Sequence, residues 1–280
     1  MAVLKCNIPS SLLAALTKTA SGVEGVSHIV TVALSQYLNQ PIHTLFQVST
    51  SGSLVAGIYS GAVSPGIILQ HGDFGLGTFE NLDGEMVVLD GHIYQVTGDG
   101  KVSEASEDAA APFAVVTRFD PKLDIEIPPA GSLAALTIQC DKHRSSNNIF
   151  YAFRLDGRFH RVQTRAVSPP GENGRLIDAA KSQAEFEFAG MGGTLVGLWS
   201  PGFSSAFSIP GYHFHFISDD RQHGGHLLGC STESLRLRME ALTDFRLALP
   251  ENEAFLKADL SKNSADELEY AEEPRQEIKR

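Results

Sequence analysis

The sequence predicts an α+β protein in which strands outnumber helices, with an N-terminal mixed β-sheet bearing helices and a C-terminal β-rich, barrel-like domain. Three observations carry that reading. Short runs rich in Val, Ile, Phe and Tyr alternate with Gly, Asp and Pro through most of the 280 residues, the pattern of strands joined by turns. Apolar residues recur at helical spacing in only a few stretches. Ser168-Pro169-Pro170-Gly171 interrupts the strands, and because prolines cannot donate to a sheet ladder this is the best internal boundary. The expected divisions are an extension over 1–42, a mixed-sheet domain over 43–168, a β domain over 169–260 and a charged tail over 261–280.

In chain order, apolar stretches at Leu12–Leu16 and Ile29–Leu38 predict helices ending near Asn39-Gln40-Pro41. TLFQVSTSGSLVAGIY, from Thr44 to Tyr59, reads as a strand feeding a helix, and Ser64-Pro65 as a helix start with proline at its first position. GDFGLGTFENLDGEMVVLDGHIYQV reads as a β-meander with a tight turn at Asp90-Gly91. Glu104 to Pro112 is a polar loop, Phe113–Phe119 a buried strand, and Pro128 to Cys140 a short helix. IFYAFRLDGRFHRVQTRAV predicts a second hairpin, turning at Asp156-Gly157. Beyond the proline boundary, AEFEFAG, TLVGLW, GYHFHFIS, GGHLLGC and SLRLRMEALTDFRLAL predict further strands, and Glu251 to Arg280 is charged and helical in part.

Composition narrows the function classes. A formal net charge of -11 argues against a nucleic-acid surface. No stretch reaches the roughly 18 apolar residues that span a bilayer, and the N-terminus lacks the apolar core and cleavage site of a secretory signal. Cys6, Cys140 and Cys230 are odd in number and scattered, which fits neither a disulfide framework nor a CxxC clip. The expectation is a soluble, cytoplasmic protein in a reducing setting, acting without nucleic acid or membrane.

Four of the ten histidines lie in GYHFHFISDDRQHGGHLLG. On a strand, alternate side chains share a face, so His213 and His215 point together while Phe214 and Phe216 point away. DDRQHGG is turn-forming and allows His226 to return beside them on the neighbouring strand. Three imidazoles with an open fourth position is the usual arrangement of a catalytic zinc site. Iron, copper, nickel and manganese suit the same donors. An isolated HxH on a half-buried strand is more often surface decoration, and it is the third histidine that shifts the balance. His223, in the turn, is read as exposed.

GYHFHFISDDRQHGGHLL resembles the zinc motif of the α-acetolactate decarboxylase family, and FQVSTSGSLVAGIYSG, HGDFGLGTFENLDGE, APFAVVTRF, RVQTRAVSPP and FLKADLS resemble further family blocks in the same order. Residues 1–42 fall outside the resemblance, and STSGSLVAG stands where bacterial members tend to have STMSALLDG. The resemblance implies decarboxylation of 2-acetolactate to (R)-acetoin, Zn2+ on His213, His215 and His226, and assistance from an arginine and two glutamates. Matched block by block, these are Arg165, Glu85 and Glu272, with Thr78 in the same segment as Glu85; Glu267, Glu269 and Glu273 lie close to the last. It further implies a homodimer and a C-terminal tail that reaches the active site.

Without the resemblance, Arg165 reads as a surface ion pair, Glu85 as an exposed turn residue and Glu272 as solvated tail. In the resembling enzyme, zinc polarises the ketone, Arg165 orients a carboxylate, and Glu85 or Glu272 moves a proton. Glu85 shares a strand face with Val87 and Leu89, surroundings that resist ionisation. The rival reading is a cupin-like metal-dependent oxygenase or isomerase, with Asp219 as an acidic ligand four residues after His215. A non-catalytic metal-binding module is a third. Gly98-Asp99-Gly100 lacks the context of a thiamine diphosphate site, and there is no GxSxG elbow or GxGxxG loop.

Overall fold

The structure is a computed structural model that describes residues 5–20, 22–38, 42–170, 174, 176–261 and 268. The chain divides into two compact units, Met1–Ile42 and His43–Arg280. The first carries α1 (Ser10–Thr19) and α2 (Gly22–Tyr37), where apolar spacing predicted helices. Among the described residues no helix is long and apolar enough to cross a membrane.

The second unit opens with β1 (Thr44–Val48) and α3 (Ser51–Val55), capped by Thr50 accepting from the Ser53 N–H. Ser64 precedes α4 (Pro65–His71), with proline in its first turn as the sequence predicts. The meander is β2 (Phe74–Thr78), β3 (Glu85–Leu89), β4 (His92–Val96) and β5 (Val102–Glu104). Asp90 and Gly91 have φ of 52° and 80°, as the tight turn between β3 and β4 requires. Then come β6 (Phe113–Thr117), β7 (Leu123–Ile127), α5 (Leu133–Asp141), β8 (Phe150–Ala166), α6 (Leu176–Ser182) and β9 (Ala184–Ser200). The chain finishes with β10 (Gly211–Ser218), β11 (Gly224–Leu242), β12 (Asp244–Ala248) and α7 (Glu253–Lys257).

Three sequence expectations are corrected. Asp156-Gly157 is not a hairpin turn, because β8 runs through it unbroken. The Asp156 carboxylate accepts from Arg238 at 2.7 Å, Thr194 at 2.9 Å and Arg154 at 3.0 Å; partners on the same and neighbouring strands hold it in the sheet, where a turn would have used its own backbone. Nor does the proline stretch separate two domains. β8 before it and β9 after it pair from Tyr151↔Trp199 to Ala166↔Ala184, and β12 returns to the first sheet beside β1. The expected strands AEFEFAG and TLVGLW likewise merge into β9.

The first sheet has the order β12-β1-β6-β2-β3-β4-β5, and its β1–β12 pair is parallel. The second has the order β10-β9-β8-β11-β7, and β10 also pairs with β11, so four of its strands close on themselves. The expected mixed sheet and β-rich, barrel-like part are both present, within one unit.

Period-two alternation decides what faces what. Phe74 and Leu76 of β2 and Val87 and Leu89 of β3 pack with Phe150, Val196, Leu198 and Ile217 of the second sheet in one core. Met86 and Val88 turn to the opposite face, beside Ile68 of α4. Phe214 and Phe216 join Phe153 and Leu136 of α5 beyond the second sheet. Each fully buried large apolar side chain contributes roughly 1.5–3 kcal/mol, so polar groups on the inter-sheet face are tolerated only where they are paired.

Candidate metal centre

That alternation puts Thr78, Glu85, His213 and His215 on the inter-sheet face. The β10–β11 hairpin sets His215 opposite His226, and the β11–β8 pairing sets His226 opposite Arg165. Gly225 makes the approach possible. Its φ is +127°, and a Cβ there would lie 2.4 Å from the Arg165 carbonyl oxygen.

The three imidazoles converge. His213 Nε2 lies 3.2 Å from His215 Nε2 and 3.1 Å from His226 Nδ1, and the three candidate ligand atoms all fall within 4.8 Å of one another. His215 is fully buried, His226 is 5% exposed and His213 somewhat more. His215 Nδ1 donates to the Met86 carbonyl at 2.8 Å, which fixes the tautomer and turns the Nε2 lone pair inward. Burial, with the nearby Arg165 charge, holds His213 down at about 3. Burial first, then His213 and Arg165, holds His215 well below the ordinary imidazole value despite the Met86 bond. All of this favours neutral imidazoles, the form that ligates metals. Ligand nitrogens about 2.0–2.1 Å from a tetrahedral zinc ion sit roughly 3.3 Å apart; the two short separations here match, so the donor set fits such an ion.

Glu85 is 5% exposed. Its Oε2 is 3.7 Å from His215 Nε2, and its Oε1 accepts from the Val167 N–H at 3.3 Å. The connection that delivers it is strained. Asn81, Leu82 and Gly84 have φ of 59°, 57° and 96°, and a Cβ at Gly84 would lie 2.3 Å from the Val96 carbonyl oxygen. Thr78 closes this connection by donating from Oγ1 to the Gly84 carbonyl at 2.8 Å. Arg165, 4% exposed, donates from Nη1 to Gln183 Oε1 at 2.7 Å.

Thr78, Glu85, Arg165 and the three histidines line one cavity of about 50 Å³, which at roughly 10–15 Å³ each has room for a few waters. Leu54, Leu82, Phe113, Val167, Leu176 and Ile209 supply its apolar walls. A cavity with imidazole nitrogens, a carboxyl group and a guanidinium can hold a cation, bind an anionic oxygen and exchange a proton.

Six of the seven expected site residues therefore meet. Glu272 lies outside the described residues, as do its neighbours Glu267, Glu269 and Glu273. His223 stays apart from the cluster, edge-on to Phe188 at 4.7 Å between ring centroids. Asp219 is exposed in the turn, away from the histidine nitrogens, so it does not complete a cupin-like ligand set. Sequence reading missed Gln183 and the Met86 carbonyl. No motif marks either one, since a backbone acceptor has no residue signature and Gln183 is one polar residue at a strand entry.

The family model described as alpha-acetolactate decarboxylase matches residues 45–262. A protein of Methylococcus capsulatus named alpha-acetolactate decarboxylase is 38% identical over 236 residues, which cover 82% of this chain and 89% of that protein. One of Methanosarcina mazei bearing the same name is 37% identical over 254 residues, 90% of this chain and 86% of that protein. The crystal structure of alpha-acetolactate decarboxylase from Bacillus subtilis strain 168 superposes with a TM-score of 0.80 at 33% identity, covering 82% of this chain and 100% of that one.

Proposed function

The chain belongs to the alpha-acetolactate decarboxylase family, an enzyme family of decarboxylases, and on that premise we propose that it converts 2-acetolactate to (R)-acetoin and carbon dioxide at the histidine centre, with Zn2+ held by His213, His215 and His226. The observation that supports this most is the convergence of three imidazoles with Glu85 and Arg165 in one cavity. When bound, zinc supplies a Lewis acid that polarises the ketone beside the breaking carbon–carboxylate bond.

The chain's own groups do the rest. Arg165 presents a planar fork of donors that orients the substrate carboxylate. The apolar walls exclude water and take the substrate's methyl groups. As the bond to the carboxylate breaks, its electron pair moves onto the adjoining carbon and the ketone oxygen, and that carbon must then gain a proton. Glu85 holds a proton at Oε2, on the first-sheet side of the cavity, which restricts delivery to one face and with it the chirality of acetoin. Thr78 steadies the connection that carries Glu85.

Glu272 joins this proposal as a second carboxylate. Leu268, four residues earlier, is 3% exposed within the inter-sheet core, and four residues of chain reach at most roughly 14 Å. We extend the proposal to a homodimer working in the cytoplasm, and light scattering on the purified chain checks the first part.

The test is an assay on racemic 2-acetolactate with chelator treatment, zinc add-back and chiral resolution of the acetoin. The expected result is loss of turnover with the metal and recovery of the (R) product on add-back. Undiminished turnover by protein that elemental analysis shows to be metal-free sinks the zinc reading.

A further inference from the structure

A second residue fixes the arginine of this cavity. Arg165 Nη1 donates to Gln183 Oε1 at 2.7 Å, and both side chains are buried, 4% and 8% exposed. Gln183 is the single residue between the end of α6 at Ser182 and the start of β9 at Ala184, so regular elements hold its backbone on both sides. From this geometry we propose that Gln183 is the positioning residue for the Arg165 guanidinium, an inference that rests on the substrate-orienting role proposed above for Arg165.

The physical argument has three steps. A guanidinium sits at the end of a long, rotatable side chain, and its fork is useful to a carboxylate only if its plane is fixed. One buried acceptor on Nη1 restrains that plane. The acceptor must be the carboxamide oxygen, because a guanidinium is always a donor; the orientation of the Gln183 amide is therefore settled by chemistry.

The choice of amide over carboxylate is the informative part. A buried glutamate at this position would also accept from Arg165, but as an ion pair that cancels the charge on which an anionic substrate depends. Gln183 orients the arginine as a neutral acceptor and adds no negative charge of its own. The register adds to this: Arg165 pairs with His226 across β8 and β11, so fixing the guanidinium fixes it relative to the histidine centre.

The experiment compares Gln183→Leu, Gln183→Glu, Arg165→Lys and the Gln183→Leu/Arg165→Lys double variant, measuring kcat, KM, bound metal and thermal midpoint in each. Gln183→Leu is expected to lower kcat roughly 10–100-fold, the size of one hydrogen bond to a charged group, with bound metal unchanged. Gln183→Glu keeps an acceptor and should largely rescue kcat while raising KM. In the double variant, Gln183→Leu should add no loss beyond that of Arg165→Lys, within about twofold.

Wild-type kcat in Gln183→Leu, the same fold-loss in both backgrounds, or metal and midpoint falling in step with activity each overturns the inference. Should Gln183→Leu fail to fold, Gln183→Glu decides, and an unchanged KM there overturns it. Arg165→Lys with undiminished turnover defeats the role given to Arg165 itself. An impaired Arg165→Lys beside an unaffected Gln183→Leu defeats this inference alone.

Discussion

The two walls of the cavity are built by different means. On the second-sheet wall, His213, His215, His226 and Arg165 stand on three long paired strands, and register alone sets their spacing. On the first-sheet wall, Thr78 and Glu85 flank a short connection in which Asn81, Leu82 and Gly84 all have positive φ. The groups proposed to hold the ion and the substrate carboxylate therefore stand on rigid elements, as precise placement requires. The group proposed to move a proton is delivered by a strained connection, the kind of backbone that the surrounding structure must over-determine.

Breaking the rigid wall should have the largest effect. His226→Ala removes one of three nitrogens, and both bound metal and acetoin formation should disappear, with turnover down at least about 10³-fold given the several kcal/mol that a metal supplies. Elemental analysis beside a steady-state assay checks it, and retained zinc with retained turnover would remove His226 from the centre. Arg165→Lys is the next largest. It should keep the metal but lose roughly 10–100-fold in kcat/KM, because a point charge cannot reproduce the fork.

The strained wall calls for a different test, in which folding and chemistry separate. Gly84→Ala puts a Cβ 2.3 Å from the Val96 carbonyl oxygen at a φ of +96°, and strain plus overpacking should cost about 3 kcal/mol. Gly91→Ala is the control, with a φ of +80° but nothing within 4 Å of the new Cβ, so about 1 kcal/mol is expected. Denaturant midpoints at unchanged slope read both. Metal content should survive in each variant while turnover falls only in Gly84→Ala. Equal midpoints would show that the close approach at Gly84 carries no cost.

The same contrast explains what the sequence disclosed. HxH on an alternating strand followed by DDRQHGG needs only local rules to bring His226 back beside His215, so the histidine cluster was readable from spacing. Arg165 and Glu85 were not; local rules left them as surface residues, and only the ordered family blocks marked them, because the cavity is lined by residues far apart in the chain. Asp156-Gly157 misled for a related reason. The local turn signal is real, but Arg154, Thr194 and Arg238 come from the same and neighbouring strands to hold the aspartate extended, and tertiary partners outweigh local preference. Gln183 had no local signal of any kind.

Asp156 gives the smallest effect and the last way to sharpen the comparison, since it stabilises the second sheet without touching the cavity. Burial acts to raise its pKa, but the hydrogen bond from Arg238 and the charge and hydrogen bond of Arg154 outweigh this and hold the carboxyl below its usual value. Arg154 is shared with Asp90 in the β3–β4 turn, so the network also ties the two sheets together. In the unfolded chain the group returns to about 3.9. Its stabilisation is thus fully present above that value and is lost as pH falls through the lower folded value. Asp156→Asn should therefore be less stable than the parent at neutral pH, by a margin that stays constant down to about pH 4 and narrows below it. Turnover at neutral pH should be unchanged. Denaturant midpoints of both proteins across pH 7 to 3 make the measurement, and a margin that does not narrow in acid would show that charge at Asp156 is not what holds β8 straight.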